Sequence, residues 1–224
     1  MAIQIAGNGG SVLEVDGTEF RAARVTSRPI DHQSLGHYTY GGFTGIIPAA
    51  LGANSEIFQF RWSDATRLAV ISEIRIAASV TTTMFAAGVP VQIDLIKSTG
   101  WTVAGTGGTA ITMSTNSKLR TSMSSSLMTA GDMRIASTAA LGAGTKTLEG
   151  LSLVAVLAAG PITASLNGTI IAPNTMLFHA DTSDGQHPLV LAQNEGFSIR
   201  SVAVPITGTW QAAVTVSWVE VASY

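Results

Sequence analysis

Apolar and polar residues alternate with a period of two over much of this chain, the signature of strands with one buried face. Phe58, Phe60 and Trp62 alternate with Gln59 and Arg61. Ile74 and Ile76 alternate with Glu73 and Arg75, and the pattern runs on through Ala78 and Val80. Val91, Ile93 and Leu95 alternate with Gln92 and Asp94. The clearest stretch lies near the end. There Trp210, Ala212, Val214, Val216 and Trp218 fall on one face, with Gln211, Ala213, Thr215 and Ser217 on the other.

Turn-rich joints separate these runs: Gly105-Thr106-Gly107-Gly108, Gly142-Ala143-Gly144, Asn167-Gly168, Asp184-Gly185 and Asn194-Glu195-Gly196. Asn-Gly and Asp-Gly supply the positive φ angles of tight hairpins. The spacing predicts roughly eight or more antiparallel strands. The expected fold is all-β, an antiparallel sandwich or jelly roll. No helix–strand rhythm marks a parallel sheet. At most one short helix is expected, over Ser117 to Met128, where Leu119, Met123 and Leu127 recur four apart behind a Ser117 cap.

Residues 1–50 read differently, as an extended Gly-rich N-terminal arm with short strands at Val12–Val15 and Phe20–Thr26. From His32 to Pro48, Tyr38, Tyr40, Phe43, Ile46 and Ile47 sit among glycines. Such a segment seldom buries its apolar residues alone. These five are therefore the candidate interface, with the sandwich domain expected over 51–224.

Composition sharpens that expectation. The 224 residues suit one large β domain, and the chain has no cysteine. Disulfides, thiolate metal sites and cysteine nucleophiles are thereby excluded. Charged residues make up 12% of the chain, against about 25% in an ordinary soluble domain. With a mean hydropathy of +0.35, a lone monomer would be poorly protected from association. A homo-oligomer, trimer or dimer, is expected. Net charge is −2 without a basic cluster, so no nucleic-acid partner is expected. Leu151–Ala159, the longest apolar stretch, is far short of the roughly 20 residues that span a bilayer. The first residues lack a basic, then apolar, leader. Neither membrane insertion nor export is expected.

Candidate chemistry is thin. His179, Asp181, Asp184 and His187 bring borderline and hard ligands together, but their spacing fits no metal motif, and Asp184-Gly185 reads as a turn. Asp31, His32 and His37 lie near many serines, without a nucleophile elbow. Leu141–Thr147 resembles a phosphate loop but has Thr145 before Lys146 where the motif needs glycine. Asn167-Gly168-Thr169 forms a glycosylation sequon but reads as a hairpin. Trp62, Trp101, Trp210 and Trp218 read first as core residues; Trp101 also precedes a Gly-rich loop, where an exposed aromatic would stack on a sugar or dock a partner. No catalytic residue, cofactor or metal is expected.

Three stretches carry a resemblance: His187 to Arg200 followed by Trp210 to Val221, Arg61 to Ala69, and Ser117 to Met123. Together they resemble a group of tailed-bacteriophage virion proteins. The resemblance implies a jelly-roll head protein of the cement or decoration type, located in the virion and bound to major capsid or other virion proteins. The runner-up is a receptor- or glycan-binding module of a tail fibre, baseplate or head spike. No helical pattern longer than about three turns exists, unlike the long spine helix of major shell subunits.

Overall fold

Inward-facing aromatic rings organise the fold, and they come from strands far apart in sequence. The computed structural model describes residues 15–16, 22–23, 36–48, 51–82, 91–113, 117–158, 170–180, 186–203 and 207–224. The chain divides into two units, Met1–Asp31 and His32–Tyr224. In the first, β1 (Val15–Asp16) and β2 (Ala22–Ala23) pair antiparallel, with Val15 opposite Ala23.

The second unit begins with β3 (His37–Phe43), β4 (Ile47–Pro48), β5 (Ser55–Trp62), β6 (Leu68–Val80) and β7 (Val91–Val103). It continues with β8 (Thr109–Ile111), β9 (Met133–Ile135), β10 (Thr145–Leu148), β11 (Val154–Ala158) and β12 (Ile170–His179). Last come β13 (Leu189–Leu191), β14 (Glu195–Ala203) and β15 (Thr209–Val221). They form two antiparallel sheets packed as a sandwich. Sheet one has the order β10-β7-β14-β5-β9-β8, with β11 also on β7. Sheet two has the order β12-β6-β15-β3, with β13 on β6 and β4 on β15.

Alternation becomes packing in β15, where Trp210, Ala212, Val214, Val216 and Trp218 are all buried. Phe60 and Phe197 stack as a cross-strand pair at 5.1 Å, and Tyr38 packs beside its partner Trp218. Tyr40 stacks on Phe58 at 6.1 Å. Rings of this size bury ~150–250 Å² each and dominate core energetics.

Residues 37–48, read from sequence as part of the arm, are instead paired strands of the sandwich. β3 aligns along β15 from His37 opposite Val219 to Phe43 opposite Ala213. Tyr38 and Ile47 have found burial inside the chain, through a partner strand about 170 residues away in sequence.

The expected helix over Ser117 to Met128 is also replaced. Among the described residues there is no α-helix, and this stretch consists of turns and bends. Its polar groups bond elsewhere: the Leu119 amide donates to His37 O, and the Leu127 amide to Glu220. Tertiary partners override a weak, Ser-rich helical preference.

Strand order forces two connections across the outer face of sheet one. β7 and β8 lie on opposite sides of β5, as do β10 and β9. The crossing segments meet each other at the bridge Thr106–Gly142. β5 is consequently buried on both faces, Ile57 and Gln59 as fully as Phe58 and Phe60.

Candidate functional site

Under the crossing connections lies a buried polar cluster. Lys146 reaches inward from β10, its side chain 2% exposed, to Glu56 at 7%. Lys146 Nζ donates to Glu56 Oε2 at 2.5 Å and to Ser198 Oγ at 3.0 Å. The Ser198 hydroxyl donates to the same carboxylate oxygen, and Gln59 Nε2 does so at 2.6 Å. Gln59 Nε2 also donates to Gly142 O, tying one crossing connection to β5. Burial pushes the Lys146 ammonium below its ordinary value, and Glu56 opposes that shift. Gln59 Oε1 is buried with no hydrogen-bond partner.

Trp101 roofs this cluster. Lys146 Nζ sits 3.8 Å from the centre of its ring, a cation–π contact that keeps its strength when desolvated. The ring packs over Gly196, where a Cβ would meet Phe60 O at 2.2 Å and the indole at 2.8 Å. Trp101 is 0% exposed. It is therefore a core residue, where the sequence suggested an exposed ligand platform, because the loop after it folds back across the sheet.

Two further ion pairs are buried nearby. Arg200 grips Asp94 with two nitrogens, Nε to Oδ1 at 3.0 Å and Nη2 to Oδ2 at 2.5 Å. Arg61 donates to Asp132 at 2.9 Å, to the carbonyls of Trp101 and Thr102, and to Asn194. An already sparse set of charges is thus drawn inward. Sheet two's outer face keeps little of it.

That face is the second feature. Its rows are Ala77–Ala213–Phe43, Arg75–Thr215–Gly41 and Glu73–Ser217–Thr39. Glu73 and Arg75 pair with each other. Phe43 stands 72% exposed beside an open groove of about 280 Å³, with Pro173, Asn174 and Gln211 among its walls. Of the candidate interface residues, Phe43 and Ile46 are exposed, Tyr40 is half-buried, and Tyr38 and Ile47 are buried in this chain's own core. The last two are closed to a neighbour.

A third assembly latches residues 117–131 to the sandwich. Glu220 is buried at the end of β15. It accepts from Ser126 Oγ at 2.5 Å, from the Leu127 amide at 3.1 Å and from Trp218 Nε1 at 3.3 Å. Burial pushes its carboxyl up, against the pull of these donors. Tyr38 OH donates to Ser124 O at 2.8 Å. Burial, then Glu220, pushes that phenol up to about 12.

His179 and His187 are exposed, and His187 packs against Tyr224. Asp31, His32, Asn167, Asp181 and Asp184 lie outside the described residues. Among the described residues no group of three or more His, Asp or Glu is placed to hold a metal ion. No described helix is long and apolar enough to cross a membrane.

Sequence reasoning passed over the Lys146 cluster and Glu220. For Glu220 a signal existed: it continues the inward register of β15 after Trp218, where a carboxylate has no place unless bonded. Gln59 carried no such mark, since the solvent face of a strand is where a polar residue belongs. Comparison with protein-family models, curated proteins and solved structures finds no match to this chain.

Proposed function

We propose that this chain is a structural protein of a tailed-phage particle, a head cement or decoration protein that works by association and not by catalysis. The observation that carries the reading is where the charges lie. Three buried ion pairs, Arg61–Asp132, Lys146–Glu56 and Arg200–Asp94, draw six ionised groups inside the fold. The outer face of sheet two is left with mostly small, uncharged residues, one self-paired Glu73–Arg75 couple, the exposed Phe43 and Met176, and His179 opposite Glu73. That face is about 40 Å long and about 15 Å wide at ordinary strand dimensions. It offers most of the roughly 800 Å² per partner of a standard interface. Shell subunits or further copies of this chain are the partners, and every copy bound to the assembled particle stabilises it by mass action.

Purified particles test this. The protein should co-purify with intact heads in many copies, and heads lacking it should rupture at lower temperature. Particles that contain none of it would overturn the proposal.

One observation favours a second reading. An exposed aromatic beside the amides of Asn174 and Gln211, in an uncharged groove, suits a neutral sugar ring and hence a glycan-binding module. A glycan array that responds to wild type and not to Phe43→Ala would select this reading.

A further inference from the structure

Lys146 and Gln59 share one oxygen. Glu56 Oε2 accepts from Lys146 Nζ at 2.5 Å and from Gln59 Nε2 at 2.6 Å, so a primary amine and a carboxamide are held side by side. All three side chains are buried, with the Trp101 ring over the amine. A plain ion pair would need Lys146 and Glu56 alone. It would not by itself place a carboxamide nitrogen on the same carboxylate oxygen as the ammonium.

We propose that the folded chain joins Lys146 to Gln59 through an isopeptide bond, with Glu56 moving the proton. The free-amine form of Lys146 attacks Gln59 Cδ with its nitrogen lone pair. Glu56 takes a proton from Nζ and delivers it to Nε2. The Cδ–Nε2 bond breaks with its electron pair on nitrogen, and ammonia leaves. A secondary amide between Nζ and Cδ remains. The step needs no oxidant, metal or second substrate, and Glu56 ends as it began.

Three features of the site serve this step. Burial favours the uncharged amine that the attack requires. Holding both reactants on one base removes much of the entropy cost of bringing them together. The dry surroundings keep water from competing for the carbonyl. The product would tie β10 covalently to β5, across the two strands between them in sheet one. It would also fix the crossing connection that ends at β10.

Intact-mass measurement of the full-length folded protein decides the matter. Wild type should be lighter than its sequence by one ammonia. Peptide mapping should place the loss on a linked pair containing Gln59 and Lys146. Glu56→Gln, which keeps the shape but removes the base, and Lys146→Arg should both carry full mass. Wild type at full mass after prolonged incubation in the folded state overturns the proposal, as does an ammonia loss mapped to any other residue. Wild type alone suffices if either variant fails to fold. The measurement is independent of particle binding, so its outcome leaves the proposed function to its own test.

Discussion

The indole of Trp218 and the ring of Phe60 meet edge to face across the two sheets, 5.3 Å apart at 79°. Trp218 also touches Tyr38 and donates to Glu220, so one side chain joins the core to the latch. Trp218→Ala should cost about 3–5 kcal/mol. Urea unfolding should show a lower midpoint with an unchanged slope.

Phe43 is the opposite case. It contributes little to its own fold because most of its ring faces solvent. Phe43→Asp should shift thermal stability by no more than about 0.5 kcal/mol. The same change should weaken pelleting with particles by tenfold or more, since a charge would be buried in a neutral contact. Melting and co-sedimentation on one preparation separate the two effects.

Arg61 ties four partners together from a partly buried position. Arg61→Ala leaves Asp132 buried and unpaired, and should cost about 3–5 kcal/mol. Arg61→Lys keeps the charge but not the planar fork, and should recover only part of that. Chemical denaturation of the three proteins gives the ranking.

Tyr38 and Glu220 set a direction for pH. Both have folded values raised above their ordinary ones. The stability each contributes is therefore complete below its ordinary value and is lost as pH rises through the folded one. For Tyr38 the window opens near 10 and closes near 12. For Glu220 it lies above the ordinary carboxylate value. Glu220→Gln should flatten the lower decline and shrink the alkaline one without removing it, because burial is the larger cause of the Tyr38 shift; melting temperature against pH reads both.

Much of the architecture was legible because half-buried strands carry their own period. β15 as far as Trp218 and β6 from Glu73 onward follow it residue by residue. What stayed hidden depends on partners distant in sequence. Tyr38 and Ile47 look homeless among glycines until β15 arrives to cover them. The recurrence of Leu119, Met123 and Leu127 imitates a helix, yet Leu119 and Leu127 are exposed and the Leu127 amide is claimed by Glu220. For Trp101 the sequence leaves core and exposed ligand platform both open, because it cannot say that the following loop returns over the ring. The Lys146 cluster needs three segments, at residues 56–59, 146 and 198, and no local pattern links them.

β15 lies between β6 and β3, and it is made long after β3. Its neighbour β3 waits about 170 residues for a mate. Until then half of the sandwich has edges and no centre, so sheet two cannot close before β15 has been made. Contacts this distant slow the search for the native state. In the interval, bare strand edges invite pairing with other chains. Yield from rapid expression should therefore depend on temperature and on chaperones well before it depends on the stability of the finished protein.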